Sequence, residues 1–155
     1  MRSIFPVAMI AVLASSPAGL AAEMNTSGAV TYVMVSSETA QLPGGRTATT
    51  FTQKGMIHDS DPASPLNLSA HDCTGTLVSG GEGAGASGAG YCVAVDKDGD
   101  AWWLWWTSDA ATGGTWGAIM GTGKYEGITG SGTTTYDAGL PDRSVIAYAG
   151  TLTLK

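Results

Sequence analysis

The sequence predicts an all-β protein, an eight-stranded antiparallel up-and-down β-barrel that follows a cleaved signal peptide. Threonine, valine, tyrosine, tryptophan and isoleucine recur in short runs, which glycine, aspartate, asparagine and proline separate. No window of about eleven residues has a convincing helical face. Eight such runs in one small domain favour a barrel, because closure removes exposed sheet edges. An open sandwich is the structural alternative.

The N-terminus has the three parts of a secretory signal peptide. Arg2 gives a positive start, residues 4–13 are apolar, and residues 17–22 are mostly small. We therefore expect cleavage after Ala21 or Ala22, with residues 1–22 as the signal peptide and 23–155 as a single domain. The apolar run is too short to span a bilayer. The mature protein is expected to be secreted or periplasmic, without membrane insertion.

The strands are predicted from runs of β-forming residues between turn signals. Their ranges are 29–36, 46–58, 68–79, 88–96, 100–107, 115–121, 129–137 and 143–154. The connections are mostly short, as an up-and-down meander requires. The chain carries 7 Lys and Arg against 13 Asp and Glu, and the basic residues are not clustered. This charge pattern argues against nucleic-acid partners and against anionic lipid surfaces.

The chain contains two cysteines, Cys73 and Cys92, with the glycine-rich stretch 79–83 almost centrally between them. If that stretch turns a hairpin, the two cysteines lie opposite each other on neighbouring strands. In an exported protein this arrangement predicts a disulfide, which would add roughly 3 kcal/mol by restricting the unfolded chain. We expect no metal site and no catalytic role for the pair.

The acidic segment that begins at Asp96 resembles a calcium loop in its first half only. Asp96, Asp98 and Asp100 have the spacing of the first ligands of an EF-hand, but Ala101 and Thr107 replace its glycine and its bidentate glutamate. The run Asp-Lys-Asp-Gly is typical of a type I turn. It therefore predicts a β-hairpin and no calcium.

That hairpin carries tryptophans on both of its faces. One face holds Tyr91, Val93, Val95, Trp103 and Trp105, and the other holds Cys92, Ala94, Trp102, Leu104 and Trp106. A register slip of one residue would exchange the two tryptophan sets. One face must fill or line the barrel, and the other is too apolar to remain in water. We expect Tyr91, Trp103 and Trp105 to line a ligand cavity, and the opposite face to contact another subunit.

The glycine-rich run GAIMGTGKYEGITGSG, residues 117–132, is not a nucleotide-binding loop. A P-loop would need glycine at Ala118 and serine or threonine at Tyr125, and the dinucleotide pattern has different glycine spacing. We expect no nucleotide and no other cofactor.

Within that run, GTGKYEGITGSG (residues 121–132) resembles the GTGKY/F-x-G-x-x-G segment of the allene oxide cyclase and dirigent barrel superfamily. The resemblance implies a tight turn in which Tyr125 is held against the barrel. Its turn glycines would be Gly121, Gly123, Gly127 and Gly130. It also implies an eight-stranded barrel, commonly trimeric, that holds a small apolar molecule. Plant relatives cyclise an unstable epoxide or guide the coupling of phenoxy radicals, largely by shaping the ligand. Outside the run, no catalytic residue can be carried over.

Nothing else in the sequence indicates a catalytic set, since G-x-S-x-G and H-E-x-x-H are both absent. His58 and His71 would share a metal site only if their side chains met on paired strands, and ordinary structural roles are expected for both. Glu126 is expected to be exposed at a turn, and Lys124 and Arg143 to be surface charges.

Three functions remain open. The first is binding of a small apolar or aromatic molecule in the barrel. The second is a cyclase or isomerase that imposes a conformation on a reactive substrate. The third is a structural or interaction protein with a filled barrel. A cavity of a few hundred Å³ would favour the first two, and a buried ionisable group within it would favour the second. In each case a homo-oligomer is expected, with a trimer favoured.

Overall fold

The computed structural model describes residues 21–81, 85–140 and 142–155. Eight strands form one closed antiparallel barrel, in which each strand pairs with the next and the last pairs with the first. The strands are β1 (Ala22–Leu42), β2 (Arg46–Asp59), β3 (Ala70–Gly80), β4 (Ser87–Val95), β5 (Ala101–Asp109), β6 (Gly113–Gly121), β7 (Thr129–Leu140) and β8 (Arg143–Leu154). The predicted eight-stranded antiparallel up-and-down barrel is confirmed. The predicted signal peptide, except for its last two residues, lies outside the described residues.

Strand β1 is much longer than the predicted range 29–36. Its first half pairs with β8, and its second half continues past a bulge between Met34 and Ser36 as a hairpin with β2. That second half consists mostly of polar residues. It therefore lacks the alternation of polar and apolar residues that predicts a strand. The hairpin is instead supported by cross-strand hydroxyl pairs, including Thr39 Oγ1 to Thr49 Oγ1 at 2.9 Å.

One end of the barrel is closed by the connection between β2 and β3. Leu66 in this connection is only 2% exposed, and the Ile57 amide donates to the Ser69 carbonyl at 3.0 Å. The Tyr125 hydroxyl donates to the Pro65 carbonyl at 2.7 Å, which ties the connection to the glycine-rich turn. A cavity inside the barrel therefore has a floor at this end.

Inward-facing glycines make room for the large indoles of the core. Gly132 and Gly150 face the Trp116 ring, and a Cβ on Gly150 would lie 2.6 Å from Trp116 Cζ2. Any side chain at these positions would displace the ring or the neighbouring strand. The glycines at these positions of β7 and β8 thus serve packing inside the barrel.

The predicted disulfide is confirmed. Cys73 and Cys92 lie directly opposite each other on β3 and β4, with their α-carbons 4.1 Å apart. The bond fits an extracellular fold. No helix in the described part of the chain is long and apolar enough to cross a membrane.

Candidate functional site: a cavity inside the barrel

The barrel encloses a cavity of about 750 Å³. It extends from Tyr32 and His71 near the closed end to a rim that includes Asp109, Leu140 and Arg143. These three rim residues are exposed, so the cavity opens at the end opposite the β2–β3 connection. A volume of this size falls in the range of small-molecule sites, about 300–1,000 Å³.

Aromatic rings form much of the cavity wall. Phe51 stacks on Trp106 with ring centroids 5.9 Å apart, and Trp102 meets Trp116 edge to face at 6.3 Å. Trp106 can lie against the wall because the facing position on β4 is Gly90, where a Cβ would be 2.6 Å from the ring. These pairs give the cavity flat apolar surfaces on strands of a closed sheet, which hold them rigidly.

A neutral polar pair lies in the deep part of the cavity. The Tyr32 hydroxyl is 2.8 Å from His71 Nδ1 and 3.3 Å from Cys73 Sγ. Burial lowers the pKa of the His71 imidazole to about 4 and raises the pKa of Tyr32 above its ordinary value. Both groups are therefore uncharged near neutral pH and offer hydrogen bonds without charge.

Full charges among the described lining residues are confined to the rim, where Asp109 and Arg143 lie. The carboxylate of Asp109 accepts from the amides of Ala111 and Thr112, which lowers its pKa. Arg143 pairs with the neighbouring Asp142 at 3.0 Å. The cavity thus has a charged mouth and a neutral, mostly aromatic interior.

No protein-family model matches the chain, and no curated protein matches it. Among solved structures, it is similar to the pterocarpan synthase dirigent protein GePTS1, with a TM-score of 0.57 and 11% sequence identity. The match covers 92% of this chain and 97% of that chain. The two proteins share the barrel fold. The finding agrees with the resemblance of the glycine run, and at this identity it describes the fold alone.

In the barrel, the two faces of the tryptophan hairpin are the reverse of the expected arrangement. The register pairs Tyr91 with Trp105 and Val93 with Trp103, so the two sets are grouped as predicted. However, Tyr91 is 62% and Trp105 is 38% exposed, whereas Trp102 is 3% exposed. Placing Tyr91, Trp103 and Trp105 inside the barrel was wrong. The inner face carries Trp102, Leu104 and Trp106.

A charged residue on the neighbouring strand could have identified the outer face. If Cys73 pairs with Cys92, Asp72 must lie opposite Val93, as it does. Asp72 and its own cross-strand partner Lys54 are both exposed and form an ion pair of 3.6 Å. Because a charged pair belongs in water, the face shared with Val93 and Trp103 had to be the outer one.

The outer face has a shallow groove of its own. Tyr91, Val93 and Trp103 line it, together with Val35 and Lys54, and its volume is about 380 Å³. Beside the groove lie the exposed side chains of Val95, Trp105 and Met120. We call the set Tyr91, Val93, Val95, Trp103, Trp105 and Met120 the outer aromatic patch.

The glycine run forms the turn between β6 and β7. Residues Gly123–Tyr125 make one turn of 3₁₀ helix, and Tyr125 is fully buried. Gly123 and Gly127 have positive φ angles of 54° and 73°, a region that favours glycine. A Cβ on Gly121 or Gly130 would strike Tyr125 or the β8 backbone, respectively.

This turn is tied to the β4–β5 hairpin by an ion-pair cluster that the sequence did not reveal. Lys124 Nζ lies 2.9 Å from Asp96 Oδ2 and 2.7 Å from Asp98 Oδ2. The other oxygen of Asp96 accepts from the amides of Asp98 and Asp100. Burial opposes ionisation of Asp96, but Lys124 and these amides hold its pKa below the usual value. Lys124 is exposed, as predicted, but its ammonium group is held by two carboxylates and links the two turns.

The two histidines lie on opposite faces of the sheet. His58 is exposed on β2, whereas His71 is buried inside the barrel on β3. A metal site shared by His58 and His71 is therefore excluded by geometry. The Tyr32 partner of His71 was missed, because the two residues are 39 positions apart in the chain.

Proposed function

We propose that the protein is an exported barrel that binds a small, neutral, apolar or aromatic molecule inside its cavity. The observation that carries this proposal is the 750 Å³ cavity with aromatic walls and an opening at one end. A barrel that serves only as a filled scaffold would not need this volume. An exported protein that is either secreted or periplasmic fits the disulfide.

The neutral interior supports a neutral ligand. An ion that entered the deep part of the cavity would lose its hydration without meeting an opposite charge, which is unfavourable. A ligand with an apolar body could instead offer one hydrogen-bonding group to Tyr32 or His71 and leave its remaining surface against Phe51 and Trp106.

A second candidate is a cyclase or isomerase that holds a reactive molecule in one conformation. The buried pair of Tyr32 and His71 favours this function over a purely structural one, because ionisable groups in a cavity often act on substrates. Within this second candidate, a mechanism that relies on general acid–base catalysis is the less favoured one. His71, with a pKa of about 4, is a poor base near neutral pH, since efficient catalysis needs a pKa near the working pH. The pair suits orientation of a ligand better than proton transfer.

The proposed site can be tested with two matched fluorescent probes. N-phenylnaphthylamine is neutral and aromatic, and anilinonaphthalene sulfonate adds an anionic group to nearly the same skeleton. We expect saturable fluorescence enhancement with the neutral probe and much weaker binding of the anionic one. Leu77 lines the cavity, so Leu77→Trp should block the neutral probe. Thr76→Trp, on the opposite face of the same strand, should not.

Equal binding of the two probes, or equal effects of the two tryptophan variants, would contradict a neutral site inside the barrel. If the neutral probe fails to bind at any accessible concentration, the binding proposal fails.

We also propose that the outer aromatic patch is covered by another copy of the chain, giving a homo-oligomer, with a trimer favoured by the resemblance to dirigent barrels. The support is the contiguity of the patch: Tyr91 pairs across to Trp105, and Val93 to Trp103, which in turn pairs with Met120. Large contiguous apolar surfaces on soluble proteins mark interaction sites.

A further inference from the structure

His71, Cys73 and Cys92 form a compact group of potential metal ligands inside the barrel. His71 and Cys73 are two residues apart on β3 and so share its inner face, and Cys92 lies directly across on β4. The imidazole nitrogen and both sulfurs lie within 4.8 Å of one another. We propose that, once the disulfide is reduced, these three side chains bind a divalent metal ion of the zinc type.

The imidazole of His71 is already oriented for this role. Its Nδ1 is 2.8 Å from the Tyr32 hydroxyl, while Nε2 faces Cys73 Sγ at 4.0 Å. In the tautomer whose Nδ1–H donates to the Tyr32 oxygen, Nε2 carries the lone pair and faces Cys73 Sγ. Metal-binding histidines are characteristically held in this way, through a hydrogen bond from the ring nitrogen that does not bind the metal.

Charge balance favours a divalent ion. Two thiolates and one neutral imidazole carry two negative charges, which a divalent cation neutralises. The described lining residues carry full charges only at the rim, at Asp109 and Arg143. A neutral complex therefore suits the interior, whereas a monovalent ion would leave a buried negative charge.

The geometry leaves one coordination position open. Zinc takes four ligands in a tetrahedron, with sulfur at about 2.3 Å and nitrogen at about 2.0–2.1 Å, so its two sulfurs lie about 3.8 Å apart. Rotation of the cysteine side chains can provide that separation once the covalent bond is broken. The fourth position would face the cavity and take a water molecule or a group of the bound ligand.

The disulfide and the metal exclude each other. Reduction takes two electrons and two protons to give two thiols; with a phosphine reductant, the phosphine becomes its oxide with an oxygen atom from water. Metal binding then releases the two thiol protons. The site therefore opens to metal only after a dithiol or a phosphine has entered the cavity, which Cys73 and Cys92 line.

Cobalt(II) provides a direct test, because it replaces zinc and absorbs visible light. The full mature protein is reduced with a water-soluble phosphine under argon and titrated with cobalt. We expect one equivalent to bind, with a thiolate charge-transfer band and the intense visible bands of a tetrahedral complex. The oxidised protein should give neither. Absence of these bands from the reduced protein overturns the proposal.

Two histidine variants separate this site from non-specific binding by thiols. His71→Ala should weaken cobalt binding by at least about tenfold, since even residues that only orient metal ligands contribute 10- to 100-fold. His58→Ala, which removes the exposed histidine, should bind as the unaltered protein does. Equal affinities of the two variants overturn the proposal. If the reduced protein loses its near-ultraviolet circular dichroism, cobalt binding should restore this signal. Failure of cobalt to restore it also overturns the proposal.

Discussion

The Tyr32 hydroxyl and Nδ1 of His71 are 2.8 Å apart inside the barrel, on side chains that are 8% and 4% exposed. Burial disfavours the charged form of each group, so it lowers the pKa of His71 and raises that of Tyr32. This relationship makes the cavity suitable for neutral ligands, and it also makes the fold sensitive to acid.

The first prediction concerns that sensitivity. His71 has a pKa of about 4 in the fold, against an ordinary value of 6.5. Between these two values the unfolded chain binds the proton more readily, so stability falls as the pH is lowered through this window. With the disulfide intact and a chelator present, the loss should reach about 3 kcal/mol.

Urea unfolding at a series of pH values measures this effect. His71→Gln should flatten the stability profile between about pH 4 and 6.5, whereas His58→Gln should keep its slope. A slope that persists in His71→Gln would show that another group is responsible.

The second prediction compares an inner and an outer tryptophan. Trp106→Ala removes an aromatic wall of the cavity, and the affinity for N-phenylnaphthylamine should fall about tenfold, the equivalent of one aromatic contact. Trp103→Ala lies on the outer face and should leave the affinity unchanged. Fluorescence titration decides between them. If Trp103→Ala weakened binding and Trp106→Ala did not, the outer face would be the binding site, as the sequence predicted.

The third prediction concerns the link between the glycine-rich turn and the β4–β5 hairpin. The Asp96 side chain is 3% exposed and holds Lys124 Nζ at 2.9 Å. Asp96→Asn removes this ion pair and should cost about 1–3 kcal/mol. Lys97→Met removes a cation whose side chain is 85% exposed, and it serves as the control. The urea midpoint of Lys97→Met should not change. Equal effects of the two variants would mean that the ion-pair cluster around Lys124 does not stabilise the turn.

The fourth prediction concerns assembly. The unaltered protein should sediment as an oligomer, and Trp105→Asp should give a monomer because it places a charge in the outer aromatic patch. Thr151→Asp, at an exposed position on β8, should leave assembly intact. Sedimentation velocity reports both results. An unaltered protein that remains monomeric at high concentration would show that the patch is not an interface between copies.

Local sequence was sufficient for the features that depend on neighbouring residues. Seven of the eight strands were placed to within three residues at each boundary, since glycine, proline and aspartate mark their ends. The Cys73–Cys92 disulfide was predicted because a glycine-rich stretch lies midway between the two cysteines. The predicted range of β1 ended too early, at residue 36, because the polar second half of the strand is stabilised by pairing with β2 and not by burial.

The cavity could not be predicted in the same way. Alternation along β5 shows that Trp102 and Trp103 face opposite sides, but it does not say which side is inside. Tyr32 meets His71 only because the barrel closes β1 against β2 and β2 against β3. Likewise, Lys124 reaches Asp96 only after two turns at one barrel end come together. Contacts of this kind depend on closure and leave no periodic signal.

Native mass spectrometry of the protein purified from its own source tests the central claim most directly. We predict that each chain carries one small neutral molecule, released on denaturation, and that Leu77→Trp purified in the same way carries none. An unaltered protein that carries no such molecule, and that also fails to take up neutral aromatic probes, would contradict the account of a ligand-binding barrel.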